Sequence, residues 1–158
     1  MQRSKHGRLW PVVAVAICGV MTACIDHIMY HHYEHTPLSG WERNDTLNFM
    51  VPRAKQQGQY LEEIGVRING DYPFLSLRLI VSQTVYPSGK TLADTLECEL
   101  IDKNGTAKGD GITMYQYQFP LTTLQLAEGD SLRVAIRHDM KREILPGIAD
   151  IGVKLSKQ

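Results

Sequence analysis

Side chains that can do covalent or acid–base chemistry are few in this sequence. A nucleophilic device needs a histidine within hydrogen-bond reach of a serine or cysteine, and His138 is the one histidine after residue 44. His138 and Cys98 alternate with aliphatic residues, so we predict that both face the interior of strands. Glu97 and Glu99 would lie about 6 to 7 Å apart on the opposite face, where two carboxylates can act as a hydrolytic pair or simply meet solvent. We expect the solvated arrangement and predict that the protein is not an enzyme.

Two further patterns contain the residue types of ion sites. His27, His31 and His35 recur every four residues, so a helix would place them on one face, where neutral imidazoles can bind a transition metal. The alternative is a polar spacer whose histidines titrate near neutral pH, beside lipid headgroups if the N-terminal residues anchor the chain to a membrane. Asp102 and Asp110 flank a turn that is similar to part of a calcium loop, but the chain lacks the distal bidentate glutamate and fits a tight hairpin turn better. We predict no metal and no cofactor.

Cys24 is the residue with the clearest predicted chemistry. A basic head that contains Arg3, Lys5 and Arg8 precedes an apolar run over residues 9–20, which is signal-peptide length and too short to span a bilayer of about 30 Å. Thr22 and Ala23 before Cys24 resemble the bacterial lipobox, in which the cysteine thiol is alkylated with diacylglycerol and becomes the new N-terminus. We predict lipidation at Cys24; the alternative is an ordinary cleaved signal that leaves Cys24 free.

The charge balance excludes nucleic acid as a partner. The chain has 158 residues, 43% of them hydrophobic, with 17 basic and 17 acidic side chains, which is too balanced for a nucleic-acid footprint and too apolar for a disordered tail. Removal of residues 1–23 takes three basic side chains and no acid, and leaves 14 basic against 17 acidic ones. Cys18 leaves with the signal, so with Cys24 lipidated Cys98 stands alone and no intramolecular disulfide forms.

Alternation with period two dominates the rest of the chain and predicts an all-β fold. Strands are expected over residues 46–51, 61–69, 75–85, 91–100, 111–119, 132–138 and 148–155, with 75–85 and 91–100 paired as a hairpin. Turn residues separate them at the spacing of an antiparallel two-sheet β-sandwich, Ig-like or jelly-roll-like. The expected core includes Leu77, Leu79, Leu96, Cys98, Leu100, Val134 and Ile136.

These signals divide the chain into three parts. Residues 1–23 are the predicted lipoprotein signal peptide, and residues 45–158 are the predicted sandwich domain. Residues 24–44 show no sustained strand or helix period and contain Pro37, Ser39 and Gly40. We predict that they form a lipid-anchored tether.

Several short motifs stand in a defined order along the chain. The middle of the chain contains Asp71-Tyr72-Pro73-Phe74, Tyr86-Pro87-Ser88-Gly89-Lys90-Thr91 and Asp94-Thr95-Leu96-Glu97. Outside this block are Gly40-Trp41, Asn104-Gly105-Thr106 and Gly147-Ile148-Ala149-Asp150-Ile151-Gly152. In these motifs and their order the chain resembles the GldH family of gliding-motility lipoproteins from Bacteroidetes. The resemblance implies an envelope lipoprotein needed for gliding and for the linked type IX secretion apparatus, with no known catalytic activity.

The partners and the site of contact are predicted from the remaining features. We expect a scaffold or accessory component that binds other envelope proteins, with the loop 69–74 as the contact. Tyr72, Pro73 and Phe74 either stand out from this loop or plug the open end of the sandwich. A carbohydrate-binding envelope module is the alternative function, because Tyr115, Tyr117 and Phe119 alternate with glutamines and can line a sugar groove or belong half to the core.

Modification and location complete the predictions. Thr46, Thr95 and Ser131 each follow an aspartate and precede a leucine, an order that resembles the O-glycosylation signal of exported proteins in that phylum and also arises by chance at strand starts. Ile25 and Asp26 supply only one acid after Cys24, whereas the surface-export signal of this phylum is acid-rich. We therefore expect a lipid-anchored protein of the outer membrane that faces the periplasm.

Overall fold

The computed structural model describes residues 27–158, and strands account for most of this segment. The strands are β1 (Ile28–His35), β2 (Trp41–Glu42), β3 (Leu47–Val51), β4 (Gly58–Asn69), β5 (Ser76–Tyr86), β6 (Lys90–Glu99), β7 (Asp110–Gly111), β8 (Met114–Leu126), β9 (Ser131–His138), β10 (Ile144–Leu145) and β11 (Ile148–Lys157). The predicted signal peptide and Cys24 lie outside the described residues. The described part of the chain has no helix with the length and hydrophobicity needed to cross a bilayer.

Two antiparallel sheets form the body of the protein, and the predicted β-sandwich is confirmed. One sheet has the order β1-β11-β4-β8-β7, and the other has the order β3-β9-β5-β6. β2 and β10 form a separate two-stranded sheet. The predicted hairpin is also confirmed, since β5 and β6 pair from Ser76 with Glu99 to Val85 with Lys90.

The core lies between the two sheets, where inward positions alternate along β5 and β9. Six of the seven predicted core residues are buried, namely Leu77, Leu79, Cys98, Leu100, Val134 and Ile136. Leu96 is only partly buried against this core, because β6 is the edge strand of its sheet and its side chains are covered on one side only. Tyr60, Ile64 and Val66 of β4 supply the facing layer.

A strand inside the predicted tether corrects the sequence prediction. β1 pairs along its length with β11, so the prediction of a tether without regular structure is wrong for Ile28–His35. The prediction failed because half-buried residues of β1 come in pairs rather than at alternate positions, and its register shifts between Ile28 and Tyr30. The pairing of β1 with β11 is made by backbone hydrogen bonds, which the order of the side chains does not record.

β8 also differs from its predicted bounds, because it continues through Pro120 to Leu126. Proline cannot donate a ladder hydrogen bond, so within sheets it is found at edges and bulges. Pro120 pairs with Glu63 at a register shift in the β4–β8 ladder. The bulge lets the strand continue past a residue that would otherwise end it.

The sandwich has two ends, which we call proximal and distal. The proximal end is where the described chain begins: the carbonyl of His27 accepts a hydrogen bond from the Lys157 N–H at 2.7 Å, and the loops 52–57 and 127–130 meet through the Ala54 N–H and the Asp130 carbonyl at 2.7 Å. The distal end holds the loops 70–75, 100–113 and 139–147. These loops are tied to the strands by bonds such as that from the Asn69 N–H to the Gly147 carbonyl at 2.9 Å.

Candidate functional site

A groove of about 290 Å³ at the distal end brings together three segments that are remote in sequence. Phe74 comes from the loop before β5, Arg78 and Glu97 come from the β5–β6 hairpin, and Met140 follows β9. The groove thus combines an aromatic ring, a thioether and charged groups. Aromatic residues, methionine and arginine are the residue types that are enriched where proteins bind proteins.

Tyr72 fixes the loop that presents Phe74. The Tyr72 ring is 4% exposed, and its hydroxyl donates a hydrogen bond to the Ser76 carbonyl at 2.7 Å. Gly147 has a φ of 79°, and a Cβ at this position would lie 2.2 Å from the Tyr72 nitrogen. Because both the left-handed conformation and the close approach require glycine, the loop 70–75 and the segment before β11 lock each other in place.

Phe74 packs edge-to-face on this fixed ring, with the two ring centroids 5.8 Å apart. Phe74 is half-buried, while Pro73 is exposed. Of the three predicted contact residues, Tyr72 therefore plugs the distal end of the sandwich, and its ring offers no surface to a partner. A contact role remains a prediction for Pro73 and Phe74.

Charged groups of the groove are held in defined positions. The Arg78 Nε donates to Glu97 Oε2 at 2.9 Å, and the Ser76 hydroxyl donates to Glu97 Oε1 at 2.8 Å. These hydrogen bonds, from Arg78 first and then from Ser76, lower the pKa of Glu97. Glu97 is consequently a carboxylate at neutral pH and does not have the raised pKa of a general acid.

Met140 is held beside β5 by hydrogen bonds to its side chain, its neighbour Asp139 and its own carbonyl. The Arg78 N–H donates to the Met140 sulfur at 3.3 Å, and the Arg78 carbonyl accepts from the Asp139 N–H at 2.8 Å. The Met140 carbonyl accepts a hydrogen bond from Arg43 Nη2. Sequence inspection missed Arg78, Asp139 and Met140, because only the pairing of β5 with β9 brings them beside Phe74.

The two residues weighed as a catalytic pair are structural. His138 is buried, and its Nε2 lies 3.1 Å from the Trp41 carbonyl. A carbonyl only accepts, so Nε2 carries the proton, and burial lowers the pKa of this imidazole. Burial raises the pKa of the Cys98 thiol to about 12, and Cys98 and His138 lie on opposite sides of β5, about 10 Å apart.

Glu97 and Glu99 do not act as a pair. Glu97 binds Arg78, as described above, and Glu99 forms an exposed ion pair with Lys108. This contact with Lys108 lowers the pKa of Glu99. Both acids face solvent on β6, as the sequence predicts.

Histidines near the start of the described chain are spread along a strand. His31 and His35 belong to β1, where four residues span about 13 Å, too far for two ligands of one ion. His32 Nε2 instead lies 3.0 Å from Glu34 Oε1, and His35 contacts Asp150. Among residues 27–158, no group of three or more histidine, cysteine or acidic side chains is placed to hold a metal.

The turn after β6 has the tight form that the sequence favours. Asp102 Oδ1 accepts hydrogen bonds from the backbone N–H groups of Asn104 and Thr106, each at 2.8 Å. These bonds use a carboxylate oxygen that a calcium loop would offer to the ion. Asp102 therefore closes a hairpin turn.

The aromatic residues of β8 belong half to the core. The rings of Tyr117 and Phe119 are nearly parallel, with centroids 6.0 Å apart. Tyr117 is only 6% exposed, however, and its hydroxyl donates to the Leu100 carbonyl at 2.8 Å. This pair therefore gives no exposed platform on which a sugar ring could stack.

Hydroxyl groups at the predicted O-glycosylation sites differ in access. Thr46 and Thr95 are exposed, and Ser131 is half-buried at the start of β9. Modification at Thr46, Thr95 and Ser131 stays a prediction.

Comparison with known families decides the assignment. The sequence profile of the GldH lipoprotein family matches residues 28–155. The chain belongs to the GldH lipoprotein family. The match begins at the first residue of β1 and runs into β11, so the whole described sandwich is the GldH domain, and the predicted family is confirmed.

Two curated relatives of this GldH-family chain carry the same name. Gliding motility lipoprotein GldH of Flavobacterium johnsoniae is 28% identical over 127 residues, which cover 76% of this chain and 79% of the relative. A GldH homolog of Christiangramia forsetii is 25% identical over 147 residues, which cover 87% of this chain and 89% of the relative. Both relatives are named as gliding motility lipoproteins, and the family is not a known enzyme family.

Solved structures show only weak likeness to the GldH domain. Part of a 4-O-methyl-α-glucuronidase with specificity for decorated arabinogalactans aligns at a TM-score of 0.42 and 14% identity, and the alignment covers 80% of this chain and 16% of the enzyme. A TM-score at this level assigns neither a shared fold nor a shared activity.

Proposed function

We propose that this GldH-family lipoprotein is a non-catalytic accessory or scaffold component of gliding motility and of the linked type IX secretion apparatus. It acts by binding other envelope proteins. The observation that carries the proposal is the distal groove, where Phe74 and Met140 lie beside the Arg78–Glu97 pair. A rigid aromatic residue next to charged groups of both signs suits a protein partner better than a uniform polyanion or polysaccharide.

Position along the sandwich supports a contact at the distal end. Cys24, the lipid attachment site of this proposal, lies three residues before His27, and His27 is at the proximal end. The groove lies at the other end of β5 and β6, which span about 30 Å. A tethered domain of this form holds the groove away from the membrane and raises the local concentration of the contact surface near its partners.

Variants at the groove test the proposal. Lys141 and Arg142 line the groove and are exposed, so reversal of both charges in Lys141→Glu/Arg142→Glu changes the surface without opening the core. We expect cross-linked partners to be lost from pull-downs of intact envelopes, together with motility or secretion. Phe74→Ala should have the same effect. Its urea unfolding midpoint shows whether partners are lost because the contact surface has changed or because the fold is destabilised.

A control at the proximal end tests whether removing any exposed aromatic residue reduces partner recovery. Tyr86 is an exposed aromatic residue, 42% accessible, on the other end of β5. Tyr86→Ala should leave partner recovery unchanged. Full partner recovery with both groove variants would contradict the contact site, and recovery of polysaccharide without protein partners would favour a carbohydrate-binding module.

Lipid attachment is tested separately at Cys24. We expect Cys24→Ser to leave unprocessed or soluble protein, because alkylation needs the thiol. Mass spectrometry and membrane fractionation measure this outcome. Normal fractionation and an unchanged lipid mass in the variant would refute the attachment site.

A further inference from the structure

A second cavity, of about 300 Å³, opens at the proximal end beside the start of β1. Ile28, Met29 and Tyr60 supply apolar surface to its lining. Arg53, Lys55 and Lys157 line it as well, and no acidic side chain of the described chain does. A cavity lined by both apolar and cationic residues suits a ligand that is both anionic and amphiphilic.

The cations of this cavity are not neutralised by neighbouring acids. Among residues 27–158, no carboxylate lies within 4.0 Å of Arg53, Lys55 or Lys157. Lys157 Nζ instead donates a hydrogen bond to Gln56 Oε1. Glu128 and Asp130 share a neighbouring groove with Arg53, which leaves Lys55 and Lys157 as the cations that face the cavity without an acid beside them.

The position of the cavity points to the membrane. His27 also lines the cavity, and it lies three positions after Cys24, a distance of at most about 11 Å when the chain is extended. The cavity therefore lies within reach of the headgroup layer when the chain is anchored at Cys24. Ile28, 45% exposed at the cavity mouth, is placed to meet the apolar boundary of that layer.

We propose that this cavity binds the phosphate headgroup of an anionic phospholipid. The ammonium groups of Lys55 and Lys157 pair with the phosphate, and Ile28 and Met29 contact the glycerol and the first acyl carbons. The inference rests on the lipid anchor at Cys24 proposed above. Bound in this way, the sandwich stands with its proximal end on the membrane, and the distal groove points away from it.

Lysine acylation tests the site in the lipidated full-length mature chain on vesicles. A water-soluble acylating reagent is applied to protein on phosphatidylcholine vesicles and on vesicles with about 30% phosphatidylglycerol, and mass spectrometry reads each lysine. We expect Lys55 and Lys157 to react about five-fold more slowly on the anionic vesicles, since a basic residue near an anionic surface gains about 1 kcal/mol.

Two lysines outside the cavity serve as internal references. Lys90 is exposed at the same end, at the start of β6, and Lys103 is exposed at the distal end. Both should react at equal rates on the two kinds of vesicle. Equal protection of Lys90 would indicate diffuse adsorption of the whole end and would overturn the cavity site.

A matched pair of variants tests the shared ligand. Lys157→Gln should remove the protection of Lys55, because the two ammonium groups hold one phosphate, whereas Lys90→Gln should leave it intact. Protection of Lys55 by inorganic phosphate on pure phosphatidylcholine vesicles would assign a free-phosphate site and overturn the lipid assignment. If the protein floats with both vesicle types but Lys55 and Lys157 are not protected, the lipid site in the cavity is refuted and the anchor at Cys24 is not. If the protein does not float, the anchor at Cys24 is refuted together with the lipid site.

Discussion

Glu62 is an acidic residue in a position that solvent does not reach. It lies on the inward face of β4 and is completely buried, opposite the buried Gln83 of β5. Gln83 Nε2 donates to Glu62 Oε2 at 2.9 Å and lies 3.2 Å from Asp94 Oδ2. Burial, opposed by the hydrogen bond from Gln83, raises the pKa of Glu62 to about 7.

This raised pKa predicts that stability falls as the pH rises. Between pH 4.5 and about 7 the folded protein keeps a proton on Glu62 that the unfolded chain has lost. The free energy of unfolding is therefore highest below this range and falls by about 3 kcal/mol across it. Glu62→Gln should remove most of this slope and make the protein more stable at pH 8. Urea unfolding at pH 5 to 8 measures the difference.

Glu128→Gln is the matched control for Glu62. Glu128 is an exposed loop residue at the proximal end, so its variant should unfold with the pH dependence of the parent. If Glu62→Gln retained the full slope, another group would have to be responsible, and the assignment to Glu62 would be wrong.

β1 is held on its sheet by the ladder with β11 and by one aromatic ring, that of Tyr33. Tyr33 covers Gly152 of β11 and Gly65 of β4, where a Cβ would come within 2.7 Å and 2.4 Å of Tyr33 atoms. The Arg67 guanidinium lies 3.8 Å from the centre of the same ring, a cation–π contact. Two glycines in adjacent strands thus form the space that receives Tyr33 and holds the edge strand on the sheet.

Gly152→Ala should displace Tyr33 and loosen β1. We expect a cost of about 1 to 3 kcal/mol, the usual range for an inserted methyl group without room. Faster amide hydrogen exchange in β1 than in β9 would locate the effect. Gly70→Ala is the control, because no atom lies within 4 Å of the new Cβ, and it should change neither the free energy of unfolding nor the exchange in β1. If Gly152→Ala left the exchange rates in β1 unchanged, the role of Tyr33 would be contradicted.

Two leucines at the same parity near β5 test which positions face the core. Leu79 is fully buried, whereas Leu75, just before the strand, is 53% exposed. Leu79→Ala should lower the free energy of unfolding by about 2 to 5 kcal/mol, because it leaves a cavity between the sheets. Leu75→Ala should cost less than about 1 kcal/mol; a comparable loss at both positions in denaturant unfolding would argue against the packing described here.

At the scale of the whole molecule, the two ends of the sandwich have different surfaces. The proximal end carries the cationic cavity beside the start of the described chain, and the distal end carries the groove around Phe74. The strands between them connect a predicted membrane contact to a predicted protein contact. This arrangement suits a domain that holds a partner at a fixed height above the membrane.

We predict that the domain faces the periplasm from the outer membrane. Protease added to whole cells should then spare the protein, and protease added after the outer membrane is permeabilised should digest it. Immunoblotting of both samples measures the outcome, with a known surface protein as the digestion control. Rapid loss in intact cells would place the domain on the cell surface.

The amino-acid sequence by itself determined the parts of this protein that depend on local order. Alternation of apolar and polar residues indicated the sandwich, the β5–β6 hairpin and the burial of Leu77, Leu79 and Cys98, because strand side chains point alternately to two faces whatever the partner strand. The order of the motifs likewise indicated the GldH family. Both signals are read along the chain, from alternation within a strand and from the order of short motifs, and neither needs to know which strands are neighbours.

Only the tertiary structure decided what depends on the pairing of remote segments. β1 could not be recognised from its side chains, because its half-buried residues come in pairs and its partner strand, β11, lies more than a hundred residues later in the chain. Tyr72 is buried while Phe74 is only half-buried, and the loop that carries both is fixed by the close approach of Gly147 to the Tyr72 backbone. The distal groove, the cationic cavity and the Glu62–Gln83 contact each join residues from different strands, and a spacing along one strand cannot encode which strand lies beside it.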